Sequence, residues 1–349
     1  MRSPHPQWTT APAGYLNAPT IGLPPQATVE VLHEALDAWA HGAASAPGYD
    51  AAVQRSRELY ADLVGVPESW VAVGPQVSVA AALVAAALPD GTEVVLPHGD
   101  FTSVVFPFLV HADRGVTVRH VPLARLADEI GPRTGLVAFS LVQSADGAIA
   151  DGDAVREAAA RVGARTFCDL TQAAGWLPVD ASAYDVTAAS GYKWLCQPRG
   201  TAFLTVRPEL MEWIRPLHAG WYAGESRWDS TYGPEMTLAS TARRYDVSPA
   251  WLSWVGAASA LEVLTGIGVD AVHAHDTGLA DALRTRIGLP PGGGAVVAFA
   301  DPGGDAERRL REAGCAMSVR AGNVRMGFHL WNTEDDVDLA AKAIGDLSG

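Results

Sequence analysis

Between Trp70 and Leu204 the chain alternates short apolar runs with stretches of helical periodicity, and this alternation restricts the fold more than any other feature. The apolar runs are Trp70–Val73, Glu93–Leu96, Val116–Val121, Gly135–Ser140, Arg165–Asp169, Val186–Ala189 and Thr201–Val206. Helical patterns fall at Val79–Ala87, Phe101–Ala112, Ala124–Ile130 and Asp153–Val162. Short strands separated by helices predict an α/β protein, with a mostly parallel seven-stranded sheet covered on both faces. Two more helices precede this block, Pro25–Ala40 and Tyr49–Val64. Past Val206 the pattern breaks. Residues 216–250 are rich in Trp, Tyr, Gly and Pro with little periodicity, as functional connections often are. Helices at Trp251–Leu264 and from Val269, a strand at Ala295–Ala300, a helix at Asp305–Ala313, a strand at Val324–Phe328 and a last helix predict a smaller α+β unit. The expected division is 1–24, an N-terminal segment packing with the small domain; 25–248, the large domain; and 249–349, the small C-terminal domain.

The net charge of -14 repels phosphate backbones and argues against nucleic acid as a partner. The longest apolar run, Val77–Leu88, is well short of the ~20 residues that cross a bilayer. Met1–Pro12 is polar and lacks the apolar core of a signal peptide, so a cytoplasmic location away from membranes is expected. Cys168, Cys196 and Cys315 have neither CxxC nor metal-ligand spacing; free thiols and no metal are expected.

Of the 25 basic residues only Lys193 and Lys342 are lysines. Lys342 falls in an amphipathic C-terminal helix pattern, where lysine faces water. Lys193 sits in the apolar stretch Ala188-Ala189-Ser190-Gly191-Tyr192-Lys193-Trp194-Leu195. A buried lysine can lose its proton and attack a carbonyl, which arginine cannot. On composition alone, a packed lysine with a snorkelling tip fits equally well.

Ligands of open α/β sheets bind beyond the carboxyl ends of the strands. That rule selects Gly74–Ser78, His98–Phe101, Ser140–Ser144, Asp169–Gln172 and Ser190–Lys193 as clusters converging on one site. Asp169 ends a strand, Gln172 follows three residues later, and Lys193 comes one strand further on. This is the pattern of a pyridoxal 5′-phosphate (PLP) site: the Asp pairs with the pyridine nitrogen, Gln172 donates to the ring oxygen and Lys193 forms the imine. The stretches Cys168-Asp169-Leu170-Thr171-Gln172-Ala173-Ala174-Gly175 and Ser190-Gly191-Tyr192-Lys193-Trp194-Leu195-Cys196-Gln197-Pro198-Arg199-Gly200 resemble the class V aminotransferase family of fold type I PLP enzymes. Tyr15–Gly22 resembles that family's entry segment and Val319–Asp335 its C-terminal signature.

The resemblance implies further roles. Gln76, Val77 and Ser78, at a strand-to-helix turn, take the phosphate on backbone N–H groups. Ser190 joins the cofactor site, and Tyr192 directs its hydroxyl to the phosphate. Ser248 occupies the position that reaches the phosphate of a neighbouring subunit, so a homodimer with its active site at the interface is implied. Phe101 is the ring expected to stack on the cofactor, although a plain core phenylalanine fits nearly as well; His98 is a second candidate. Arg325 falls where the family binds the carboxylate of an amino-acid substrate, with Arg320 as second choice. Asn17 and Trp221 are expected at the substrate, while an interface role remains open for the whole cluster Trp221, Tyr222, Trp228, Tyr232, Trp251 and Trp254. Arg243-Arg244 can bind a second acidic group or form a surface ion pair.

Persulfide-forming desulfurases of this family carry a mobile cysteine after an Arg-x-Gly segment. Here Arg320-Ala321-Gly322 is followed by Asn323-Val324-Arg325. The reaction expected first is C–S β-elimination from an S-substituted cysteine or its sulfoxide. An aminotransferase, a decarboxylating or epimerising relative, and a non-catalytic PLP-fold protein are the alternatives. A nucleotide-binding protein is disfavoured, because no G-x-G-x-x-G follows the first strand.

Overall fold

The computed structural model describes residues 5–345 and residue 347. The first four residues of the expected N-terminal segment, and 346, 348 and 349 of the small domain, lie outside the described residues. The large sheet contains β1 (Val71–Gly74), β2 (Glu93–Pro97), β3 (Thr117–Val121), β4 (Thr134–Ser140), β5 (Arg165–Asp169), β6 (Val186–Ser190) and β7 (Ala202–Val206), in the order β1-β7-β6-β5-β4-β2-β3. Strands β6, β5, β4, β2 and β3 pair in parallel, and β7 runs antiparallel to both β6 and β1. The central strands are buried on both faces, hence their unbroken apolar runs.

Side chains alternate between faces along each strand. Val137, Phe139 and Cys168 join Val53 and Tyr60 of α2 (Ala46–Leu63) and Val155 of α5 (Gly152–Val162) in one core. Leu136, Ala138 and Phe167 point the other way, onto α3 (Val77–Ala87) and α4 (Thr102–Leu109). The buried pair Arg57–Asp246, at 2.8 Å, ties α2 to the end of the irregular segment, and Asp246 also accepts from the Val73 N–H of β1.

A second sheet, β8 (Val296–Ala300), β10 (Asn323–Gly327) and β9 (Ser318–Arg320), is wholly antiparallel. With α7 (Val269–Arg286), α8 (Asp305–Glu312) and α9 (Glu334–Ile344) it encloses a separate core that takes in Leu16 of the N-terminal segment. Strand β9 is too short to register as a run in the sequence. β9 and β10 are joined by Ala321 and Gly322 at φ 48° and 80°, a two-residue turn with both residues left-handed.

Two expectations are corrected. No α-helix forms over Ala124–Ile130; the segment makes a 3-10 turn at Leu123–Arg125 and loose turns after it. Pro122 and the pair Gly131-Pro132 bound it so closely that a helical nucleus cannot propagate. The boundary at 249 also moves. Helix α6 (Trp251–Ile267) lies against α1 (Gln26–Ala40) and α2, and Trp254 and Leu261 belong to the large core. After the 82° bend between α6 and α7, where Gly268 takes φ 87°, Val272 of α7 still belongs to that core, and Leu279 and Leu283 further along α7 join the small one.

The N-terminal segment approaches the Lys193 turn of the large domain closely at Gly22. The Gly22 N–H donates to the Tyr192 carbonyl at 3.0 Å, and a Cβ at Gly22 would lie 1.9 Å from the Lys193 carbonyl oxygen. Gly22→Ala is therefore expected to push the Lys193 turn aside and cost about 1–3 kcal/mol, as overpacking does. Urea unfolding of the purified variant reads this directly; an unchanged midpoint would show that the turn yields freely.

Candidate active site

The register of the large sheet brings the strand ends together. Ser140 pairs with Asp169, and Asp169 with Ala188. Ala202 pairs with Ser190 on one side and Gly74 on the other. Above these ends lies a cavity of about 230 Å³, to which all five strand-end clusters contribute: Gln76 and Val77, Phe101, Ser140 and Ser144, Asp169 and Gln172, and Ser190 with Tyr192 and Lys193.

Lys193 is 5% exposed, and its Nζ has no hydrogen bond or ion pair among the described residues. It lies 5.3 Å from the centre of the Phe101 ring and 5.8 Å from that of Tyr192. Burial pulls the amine down to about 8 against the pull of Asp169, and Arg325, Arg320 and Arg199 lower it further. About a tenth of the amine is then neutral at pH 7, far more than for a free lysine. The rate at which cofactor-free protein captures an aldehyde is expected to rise tenfold per pH unit below about 8 and level off above it. Rapid-mixing absorbance measures this; a rate flat from pH 6 to 9 would contradict a titrating Lys193.

Asp169 is buried, and its Oδ1 accepts from the Thr171 N–H at 2.8 Å. Among the described residues no cation pairs with it. Burial pushes its carboxyl up to about 6, although the Thr171 hydrogen bonds and Lys193 hold it down. A buried carboxylate lacking a cation is what a pyridinium nitrogen would complete. At the other end of the cavity α3 begins at Val77 without a side-chain cap, the Gln76 amide being turned onto the Ser78 hydroxyl at 2.9 Å. The first N–H groups of α3 remain available for a phosphate. Ser78, the second residue of this helix, does not line the cavity. Asp100, buried behind the site, accepts from Ser140 and from the Phe101 N–H, which fixes the base of the Phe101 side chain.

Arg325 is 2% exposed and sits beyond the cavity wall at Ser144. It donates to the Ser144 carbonyl and hydroxyl, to Ser318 Oγ at 3.1 Å and to Thr20 Oγ1 at 2.9 Å. Among the described residues no carboxylate pairs with it, and burial pulls its guanidinium down to about 10, with Arg320 adding to the effect. A buried cation held only by neutral acceptors suits a substrate carboxylate. The Gln172 amide is already engaged: Nε2 donates to the Pro19 carbonyl at 3.0 Å and to Ser144 Oγ at 3.2 Å, and Oε1 accepts from Trp194 Nε1 at 2.7 Å. A cofactor oxygen would compete with Ser144 for it.

Other expected residues lie elsewhere. Trp221 does not line the cavity; it packs on Tyr222 and Trp228, because its short 3-10 turn (Trp221–Ala223) folds onto its own segment. Ser248 is exposed and outside the cavity of this subunit, and so is His98, which faces His120. Asn17 does not line the cavity; its backbone is bridged to Gly327, and its buried Oδ1 has no hydrogen-bond partner among the described residues. Arg243 donates to the Gly224 carbonyl and Arg244 pairs with Glu212, both away from the cavity. Residues the sequence reading passed over are Ser144 and Thr171, which lie within named clusters, and Arg199, which lines the cavity from the turn before β7.

The chain matches the family model "Aminotransferase class-V" over residues 23–296. It is 31% identical over 317 residues to the uncharacterized aminotransferase YcbU of Bacillus subtilis (strain 168), covering 83% of each chain. It is 28% identical to the isopenicillin N epimerase of Streptomyces clavuligerus, covering 84% of each. Among solved structures, the cystine C–S lyase C-DES in complex with its reaction product cysteine persulfide superposes with TM-score 0.86 at 21% identity, over 96% of this chain and 98% of that one. The cysteine desulfurase of Thermococcus onnurineus NA1 gives TM-score 0.85 at 20% identity, over 99% and 98%. At these identities the superpositions establish the fold.

Proposed function

This chain belongs to the class-V aminotransferase family of PLP-dependent enzymes, and we propose that it catalyses C–S β-elimination on an S-substituted cysteine or its sulfoxide. The carrying observation is the absence of a sulfur acceptor among the described residues. Cys168, Cys196 and Cys315 are all buried and none lines the cavity. The β9–β10 connection, where a mobile cysteine would be needed, is the tight Ala321-Gly322 turn. A sulfur leaving group therefore departs rather than passing to the protein.

In this proposal the bound cofactor supplies an electron sink for the substrate's α-carbon. The protein does the rest. Asp169 would hold the ring nitrogen in its protonated form, and a positive charge there would lower its carboxyl pKa again. The N-terminus of α3 would hold the phosphate, and Phe101, which lines the cavity, would pack against the ring. Arg325 takes the substrate carboxylate and so orients the α-hydrogen. Lys193, whose lowered pKa keeps part of its amine uncharged, would take the α-proton at Nζ.

A panel of S-substituted cysteines and their sulfoxides, assayed for pyruvate and ammonia without an added keto acid, tests the reaction. Stoichiometric pyruvate and ammonia are expected, with a thiol released from each S-substituted cysteine and a sulfenic acid from each sulfoxide. Strict dependence on a keto-acid acceptor would replace this reading with transamination, and α-hydrogen exchange with inversion would replace it with epimerisation. We propose in addition that two copies assemble with Ser248 of the partner subunit beside the cofactor. Light scattering at twice the chain mass supports this, and a monomeric holoenzyme would refute it.

A further inference from the structure

We infer that Arg199 binds the phosphate of the cofactor and is the side-chain cation of that end of the site. The inference rests on the cofactor reading above and extends it to a residue outside the Asp-Gln-Lys pattern.

Sheet register carries the argument. Ala202, the first residue of β7, pairs with Gly74, the last of β1. Because these strands run antiparallel, the turn entering β7 and the turn leaving β1 lie side by side. Arg199-Gly200 thus comes to rest next to Pro75-Gln76, where α3 begins. All four residues line the cavity, together with Val77 and Tyr192. The guanidinium lies over the Tyr192 ring, 4.8 Å from its centre, which braces it without occupying its N–H groups. Among the described residues those N–H groups donate to nothing and no carboxylate pairs with them, although 13 other arginines form ion pairs.

Charge accounting points the same way. A phosphate in its dianionic form needs more than the roughly half charge of a helix N-terminus. Of the residues that line the cavity only Lys193 and Arg199 are cationic, and the Lys193 nitrogen is committed to the aldehyde carbon. Arg325 lies across the site, beyond Ser144. The phosphate end is left with Arg199, whose planar fork suits two phosphate oxygens.

The test compares PLP with pyridoxal, which has the aldehyde and ring but no phosphate. Cofactor-free wild type, Arg199→Gln and Arg199→Lys are titrated with each, following imine absorbance, and the bound phosphate is observed by phosphorus NMR. Arg199→Gln is expected to weaken PLP about 10- to 100-fold and to change pyridoxal less than about twofold, with Arg199→Lys between. The bound phosphorus signal, constant from pH 6 to 8 in wild type, is expected to titrate in Arg199→Gln. Equal weakening of both aldehydes, or of neither, would overturn the assignment. So would normal PLP affinity with a raised KM, which would make Arg199 a substrate residue. If wild type forms an imine with neither aldehyde, the cofactor reading itself fails, a result distinct from any effect of Arg199.

Discussion

Lys193→Ala is expected to fold, to hold no cofactor covalently and to lose at least about 1000-fold in turnover, because one nitrogen serves as both imine partner and proton carrier. Borohydride reduction of the wild-type holoenzyme should add the cofactor's mass to the peptide that contains Lys193 and leave Lys342 unlabelled. The variant should take up no label. Lys193→Arg sharpens the comparison: it keeps the charge and most of the bulk, yet a guanidinium cannot lose its proton to attack an aldehyde. The cofactor-free Lys193→Ala protein should be as stable as wild type or more so near pH 7, where the wild-type amine is mostly charged, buried and unpartnered. The linkage sign agrees. Since the folded amine pKa lies near 8 and the unfolded value near 10.5, the folded chain binds fewer protons between them, and wild-type stability climbs with pH across that window. A label on any other residue, or turnover in Lys193→Ala within tenfold of wild type, would remove Lys193 from the centre of the chemistry.

The parts of the site visible in the sequence are those whose geometry is local. Asp169 ends a buried parallel strand, and Lys193 lies just past the end of the next strand in the sheet, so two apolar runs and their termini were enough to place both beside one cavity. Trp221 was not recoverable in that way. It lies in an irregular stretch with no periodicity to say which side faces inward, and its ring settles on Trp228. The domain boundary was missed for a related reason: α6 is apolar almost all round, so its sequence does not tell which core claims it. Arg199 is the most informative case. An apolar run carries no sign of strand direction, and only the reversal of β7 in a mostly parallel sheet brings Arg199-Gly200 beside the start of α3.

Removing the Asp276 carboxylate is expected to destabilise the protein by about 3–5 kcal/mol, since it would leave a buried imidazolium alone. Asp276 of α7 and His329, which follows β10, are both fully buried, with Nδ1 to Oδ2 at 2.7 Å. The other ring nitrogen, Nε2, donates to the Trp194 carbonyl at 3.0 Å, the residue after the lysine. Trp194 and Trp331 enclose the ring edge-on at 5.5 and 5.0 Å. Burial opposes charging of His329, but the Asp276 carboxylate, aided by Cys196, carries its pKa up to about 10. A folded value above the usual 6.5 gives stabilisation that is complete below pH 6.5 and disappears as pH rises through about 10. The difference in unfolding free energy between cofactor-free wild type and Asp276→Asn should therefore be largest at pH 6 and shrink steadily toward pH 10. Comparing the two proteins at each pH cancels the opposite trend from Lys193, which both share. A difference that stays constant over this range would mean that His329 is neutral in the fold and that Asp276 acts as a hydrogen-bond acceptor alone. A shrinking difference would show that the pair is charged in the fold, with His329 donating from the small domain to the Trp194 carbonyl of the Lys193 turn.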